Sequence, residues 1–415
     1  MKYQFLKHKI QTVLSHIQLV WFQEKRKKKI RRNQTANVLF VVLVPSIWKY
    51  AYLYQLLLQD KRFNLRVTVA PWFKSNESGV KLQNDIESTE KKFREMGCNV
   101  IPSRDNCGNW MNPRNEFEPD IVFFSAPYSY THKNFRIENF KKSLTCYVPY
   151  AFVVISEIHM HYRSGFYNRL WCYYVETEIH KKFRKEATSL PLLKTKVVGY
   201  PGMDRFEEIN AKEQKSQPEK KTIIWAPHHT ISNQGSGLNY ATFDQYRDYF
   251  FEKASEFEGS IHIIFKPHPL LKHKLGIEHG EQWANAYYSR WESFKYGELA
   301  EGPYLDLFDR SDALIHDCAS FLAEYLAEDK PCMYLTGGND GEHSGFNEFG
   351  EIAFQQHYHG SNHTEVTAFI ENVVVKGADE MREQRLGFKR TYLNVGPSAS
   401  ASENIYGDLS KIFNG

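Results

Sequence analysis

The chain has 415 residues, 42% of them hydrophobic and 25% charged, which suits a soluble protein of two domains, each with its own core. The overall charge of +4 is unevenly spread: residues 1–36 hold ten Lys/Arg and one acid, Glu24, a net +9 that leaves −5 on the remaining 379 residues. A mildly acidic body of this kind argues against a nucleic-acid-binding protein.

The N-terminal segment opens the chain with apolar residues at three- and four-residue spacing: Leu6, Ile10, Val13, Leu14, Ile17, Val20 and Trp21, widened by Phe5 and Phe22. That period predicts an amphipathic helix. The run from Lys25 to Arg32 follows directly. A Trp-bearing apolar face beside a polybasic cluster is how a helix lies on an anionic membrane surface, so residues 1–36 are read as a membrane-association segment. The alternatives are a helix packed on the body with a solvated basic linker and, more weakly, a basic arm for RNA. No window reaches the ~18 apolar residues of a membrane span. Gln11, Ser15, His16 and Gln18 break any secretory signal, and the six cysteines form no C-x-x-C pair, so a cytosolic chain with reduced thiols is expected.

The continuous run Asn37 to Val44 predicts a buried parallel strand, followed by a helix from Pro45-Ser46 to about Gln59. Asn64 to Ala70 predicts a second strand, Lys81 to Met96 a charged helix stopped by Gly97, and Asn99 to Pro102 a short strand. Pro119 to Phe124 and Thr145 to Val154 complete a first α/β domain, 37–190. Thr195 to Gly199 then opens a second domain, 191–415, with Glu213 to Lys221 as a polar linker. Thr222 to Ala226, Ser260 to Phe265, Asp312 to His316 and Cys332 to Leu335 are its predicted strands. A Gly235-Ser-Gly237 loop follows the first of them, and a helix is expected to start at Asn239 to Phe243.

Ligands of an open parallel sheet bind beyond the carboxyl ends of its strands. Three predicted strands of the second domain end in polar loops: Pro227-His228-His229-Thr230, Lys266-Pro267-His268-Pro269 and Asp317-Cys318-Ala319-Ser320. The last opens a helix, whose free N–H groups and dipole suit a phosphate, and Glu324 lies one turn beyond Ser320 where it can meet ribose hydroxyls. An ordinary turn capped by Ser and Asp explains that loop taken alone. Convergence of His228, His229, Lys266, His268 and Ser320 on one edge points instead to a diphosphate. No H-x-x-x-H, H-E-x-x-H or D-x-D pattern sits at a predicted strand end, and His159-Met160-His161 is only a weak chelate, so no metal or cofactor is expected. G-x-S-x-G is also missing, which removes a serine-hydrolase elbow.

These residues resemble a known group. Trp225-Ala-Pro, Lys266-Pro-His-Pro, and Ser311 through Tyr325 with Lys330-Pro331 are similar to the CDP-glycerol glycerophosphotransferase family, the teichoic-acid and capsule polyol-phosphate transferases. Gly199-Tyr-Pro-Gly-Met-Asp204 resembles its G-x-P-x-x-D element, and Ala401-Ser402-Glu403-Asn404-Ile405 its A-S-E-x-I helix start. Ser400 to Glu403 also has capping-box spacing. The resemblance, over about residues 195–410, implies a GT-B fold of two Rossmann-like domains facing across a cleft. It implies a CDP-activated polyol donor held by His268 and Ser320 in a loop shaped by Asp317, a lipid-linked glycan acceptor, and a peripheral site on the cytoplasmic face of the membrane. The family's His-Gly-Thr-Pro element is not found. Glu157, His159 or His161 would supply the general base, with His228 as a further catalytic candidate. Cys318-Ala319 and His228-His229 depart from the family pattern, leaving CDP-ribitol or another activated polyol open. Rival readings are a GT-B glycosyltransferase using a UDP- or CMP-linked sugar, and a non-catalytic nucleotide-binding partner of a capsule assembly complex.

Overall fold

The computed structural model describes residues 2–73, 79–156, 161–188, 194–204, 220–231, 241–337, 345–396, 398 and 400–414. It divides into two compact units. The first comprises Met1–Val153, Ile158–Phe206 and Leu393–Gly415, the second Val154–Glu157 and Glu207–Tyr392.

Seven parallel strands build the sheet of the first unit: β1 (Ala36–Val42), β2 (Phe63–Val69), β3 (Val100–Ile101), β4 (Ile121–Phe124), β5 (Leu144–Tyr147), β6 (Cys172–Val175) and β7 (Lys194–Val197). Their order is β3-β2-β1-β4-β5-β6-β7. β1 lies inside the sheet between β2 and β4, paired with β2 along its full length, and Val38, Leu39, Phe40 and Val42 are completely buried. This is the expected place for an apolar run without alternation, since both faces of such a strand are covered. The strand predicted from Thr145 to Val154 stops at Tyr147. Pro149 has no N–H to extend the ladder, and beyond it Phe152, Val153 and Val154 are buried outside any strand. The strand predicted to open the second domain, near Thr195, instead closes this first sheet as β7, parallel to β6.

The second unit holds six parallel strands: β8 (Lys221–Ala226), β9 (Ile261–Phe265), β10 (Gly297–Leu299), β11 (Ala313–His316), β12 (Cys332–Leu335) and β13 (Tyr358–Gly360). Their order, β10-β9-β8-β11-β12-β13, repeats the doubly wound pattern of the first sheet. Trp225 on β8 is fully buried, its ring 4.5 Å from Phe250 and 5.0 Å from Phe265, so the strand that leads into His228 is fixed in an aromatic core. The Gly235-Ser-Gly237 loop, and the predicted linker up to Pro218-Glu219, lie outside the described residues.

The N-terminal helix α1 (Lys2–Asn33) is longer than expected and takes in the basic run. Its inward face is His16, Leu19, Gln23 and Ile30, all buried at seven-residue or three-to-four-residue spacing. Three of its cations are engaged by the body: Arg26 and Lys29 meet the Asp120 carboxylate at 2.7 and 3.1 Å, and Arg31 donates to the Ile412 carbonyl at 3.0 Å. The basic run is therefore neither a solvated linker nor wholly free. The single apolar stripe predicted from Leu14, Ile17 and Trp21 points outward, opposite the packed face, with those residues 59%, 56% and 51% exposed.

The last helix, Ala401–Asn414, returns to the first unit and packs on α1 and on α2 (Ala51–Gln59). Asp204 fixes its start. Its carboxylate accepts from the N–H groups of Ala401 at 3.1 Å and Ser402 at 2.6 Å, while Ser400 Oγ accepts from Glu403 N–H at 3.1 Å. Gly199 adopts φ +93°, and a Cβ there would stand 3.3 Å from Ala401 Cβ. The two separated motifs, Gly199 to Asp204 and Ala401 to Glu403, thus form one capping joint. Replacing Asp204 by Ala strips two helix N–H groups of their acceptor, and should cost about 1–2 kcal/mol in urea unfolding followed by circular dichroism. Unchanged stability would remove the joint's structural role.

Candidate functional site

In the second sheet the strand order reverses between β8 and β11, the kind of point beyond whose carboxyl ends open α/β sheets bind ligands. The loops carrying His228 and Asp317 flank that point, and the Lys266 loop follows the neighbouring β9. Asp317 ties its own loop to the His228 loop and to Thr242. It is fully buried, and one oxygen accepts from His228 N–H at 2.6 Å. The other accepts from Thr242 N–H at 2.6 Å and Thr242 Oγ1–H at 2.9 Å. Burial raises its carboxyl from the ordinary 3.8 to about 6, against the opposing pull of those donors. Asp317 thus positions the loops, and its oxygens are already occupied. Thr242, which sequence reading passed over, was detectable as a Thr immediately before the predicted helix at Phe243.

The loop after β11 is turned so that its carbonyls face inward. Tyr334 Oη donates to the Asp317 carbonyl and His316 Nδ1 to the Cys318 carbonyl, both at 3.0 Å. A trans peptide holds its N–H opposite its C=O, so the N–H groups of Cys318 and Ala319 point away from those partners. The helix beyond is shorter than predicted: four residues, Phe321–Glu324, running into a 3-10 turn, Tyr325–Glu328. A helix this short offers individual N–H groups and little macrodipole. Ser320 is exposed and makes no capping bond, which removes the ordinary-cap explanation for its hydroxyl. Glu324 is only 2% exposed and accepts from the Tyr304 hydroxyl, a partner absent from the sequence reading.

His228, His229 and His268 form a compact group, with ring centroids 4.1 to 5.1 Å apart. Burial lowers all three, His228 to about 3 and His268 to about 4, so the rings are neutral at physiological pH. One nitrogen from each lies within 4.8 Å of the others, making this the group of metal-ligating side chains found among the described residues. The sequence reading missed it because the rings come from two loops and follow no ligand spacing. Tautomers decide its use. Leu270 N–H donates to His268 Nδ1 at 3.1 Å, which leaves the proton of the neutral ring on Nε2. A metal needs a bare nitrogen and would have to displace that bond, whereas an anion takes the Nε2–H as it stands. Lys266, 5% exposed and with its ammonium lowered by burial, adds a cationic group beside His268. The arrangement therefore suits a phosphate oxygen. His228 Nδ1 is held by Thr230 Oγ1 at 3.0 Å.

Of the base candidates, Glu157 and His159 lie outside the described residues. His161 is half-buried in the first unit, its carbonyl 3.4 Å from the Tyr173 hydroxyl. Sequence reading also missed Glu176, fully buried after β6 and raised by burial to about 8. Its Oε1 accepts from Val153 N–H at 3.3 Å, and His180 Nε2 meets the Val153 carbonyl at 3.1 Å. This pair pins the chain where it leaves the first unit.

Two doubly wound parallel sheets, the second with His, Lys and backbone donors gathered at its switch point, place the protein in the GT-B class. Solved structures of that class are similar over nearly the whole chain. The wall teichoic acid polymerase TagF matches with a TM-score of 0.59 at 12% identity, over 98% of both chains. A putative UDP-N-acetylglucosamine 2-epimerase from Listeria monocytogenes gives 0.55 at 12%, over 91% of this chain and 96% of that one. The UDP-GlcNAc 2-epimerase from Neisseria meningitidis, solved with UDP-GlcNAc, gives 0.51 at 15%, over 90% and 100%. Identities this low speak to fold alone. No curated protein sequence matches. The profile of the CDP-glycerol:poly(glycerophosphate) glycerophosphotransferases matches residues 166–408, more than half of the chain, and the chain belongs to that family. It is a transferase with CDP-glycerol as donor.

Asp317→Asn puts an NH2 group against one of the three donors and should cost about 1–3 kcal/mol at neutral pH. The pH dependence has a definite sign. A carboxyl raised to about 6 holds its proton more tightly folded than unfolded, so its stabilisation is complete below the ordinary 3.8 and lost as pH rises through 6. Urea titrations should show the wild-type advantage over Asp317→Asn shrinking from pH 5 to pH 7.5. An advantage that grows over that range would contradict the assignment.

Proposed function

We propose that the chain transfers glycerol phosphate from CDP-glycerol to a hydroxyl of a lipid-linked glycan or teichoic-acid-type polymer, at an anionic membrane surface, with CMP leaving. The observation that carries this reading is the donor edge: neutral His228 and His268, Lys266 and outward N–H groups at the ends of adjacent parallel strands, in a chain of this family. Lys266 and His268 Nε2–H hold the diphosphate, with His228 and His229 lining the same edge. Ser320 hydroxyl and the N–H groups beside it take the phosphate turned toward the loop, and Glu324, oriented by Tyr304, meets the ribose.

The acceptor oxygen attacks the glycerol-bearing phosphorus in line. The new P–O bond forms as the P–O bond to CMP breaks. The hydroxyl proton passes to a base, for which Glu157, His159 and His161 are the candidates. Negative charge gathering on the leaving CMP phosphate is met by groups already in place, so positioning and electrostatics supply the rate. His268→Ala should lower kcat/KM for CDP-glycerol about 100-fold or more, measured as CMP release with a membrane acceptor. Undiminished release would refute the site. Release of a nucleoside diphosphate from UDP-sugars would favour a glycosyltransferase.

Membrane attachment is proposed from the outward row of α1. Leu14, Ile17 and Trp21 are exposed, Lys25 lies 3.6 Å over the Trp21 ring, and Lys25, Lys28 and Arg32 continue exposed along the helix. No described helix is long and apolar enough to cross a membrane. Burying such side chains in the interface gains roughly 1.5–3 kcal/mol each. Ile17→Glu with Trp21→Glu should lower flotation with phosphatidylglycerol vesicles about tenfold or more. Equal flotation would refute the anchor.

A further inference from the structure

The carboxyl edge of the first sheet carries different chemistry from that of the second. Its strand order reverses between β1 and β4, and the loop after β4 presents Tyr128 and Tyr130, 37% and 64% exposed. Their rings are 6.3 Å apart. Tyr150, beyond β5, lies 6.1 Å from Tyr128, and the two hydroxyls are hydrogen-bonded. Phe73, beyond β2, is 41% exposed, and its N–H donates to the Tyr130 carbonyl at 2.9 Å, which ties the two loops together. The row continues through Trp110, 6.1 Å from Phe73 and stacked 5.9 Å from His132, with the Arg104 guanidinium 3.8 Å from the Trp110 ring.

Aromatic rings left in contact with water at a switch point are a surface kept for a ligand, since packing alone would bury them. The rings alternate with polar groups: phenol hydroxyls, an imidazole and a guanidinium. A lipid surface is matched better by the aliphatic-and-basic face of α1. A pyranose ring has the complementary division, an apolar C–H face that lies on an aromatic ring and a rim of hydroxyls that reach phenol oxygens. An acyclic glycerol phosphate chain has no such face.

We propose that the row Tyr128, Tyr130, Phe73 and Trp110 binds a pyranose ring of the acceptor, so that this enzyme acts on a sugar-bearing acceptor and not on a bare poly(glycerophosphate) chain. The inference rests on the transferase reading for the word acceptor, but its test needs no turnover. Saturation-transfer NMR on the full-length chain would use N,N′-diacetylchitobiose and, separately, a glycerol phosphate trimer. The disaccharide's ring protons should receive saturation and the trimer should not. Tyr130→Ala should weaken disaccharide binding about 2- to 10-fold, Tyr130→Phe should keep most of it, and both should bind CDP-glycerol as the wild type does. No saturation of the disaccharide, equal binding by Tyr130→Ala, preferential binding of the trimer, or a Tyr130→Ala defect confined to vesicle binding would each overturn the proposal. Ring binding without any CMP release from CDP-glycerol would strike the transferase reading and leave the subsite standing.

Discussion

A single buried carboxylate organises the second unit. Asp317 gathers N–H groups from the segment after β8 and from Thr242, and so sets where the His228 loop, the Thr242 turn and its own loop begin. No water competes for it, which makes each of its bonds stronger and any lost partner more costly. The inward turn of the following carbonyls, satisfied by Tyr334 and His316, completes the effect. The N–H groups of Cys318 and Ala319 are then turned away from those inner partners, in a loop that contains no glycine.

The two units apply one topology to two chemistries. Both reverse strand order beside their first strand, and both gather a distinctive set of side chains beyond the carboxyl ends. In the second unit those side chains are imidazoles, a lysine and backbone amides. In the first they are tyrosines, a phenylalanine and a tryptophan. The sheet supplies the place, and the loops supply the preference for charge or for a ring face.

Much of this was legible in the sequence where local pattern carries the signal. The apolar runs of β1, β8, β9 and β11 read directly as buried strands, and the topological rule brought His228, Lys266, His268 and Ser320 to one edge before any coordinates. Features made by tertiary contact were not legible. Three-residue strands such as β10 and β13 are too short to show a period. The inner face of α1 contains His16 and Gln23, polar residues that pattern reading assigns to the outside, so the packed face was taken for the solvent face. The His268 tautomer depends on Leu270 N–H, and the imidazole group on the meeting of two loops. The motifs at Gly199–Asp204 and Ala401–Glu403 were both noticed, but nothing in either shows that one caps the other.

That capping joint bears on how the chain is made. The first unit is completed by Leu393–Gly415, which is made after the second unit's segment Glu207–Tyr392, itself contiguous in sequence. The second unit can therefore close during synthesis, while the first waits, its α1 and α2 surfaces uncovered, until Leu393–Gly415 has followed. The order of maturation is the reverse of the order of the sequence: the unit that carries the His228 and Asp317 loops closes before the unit that carries β1.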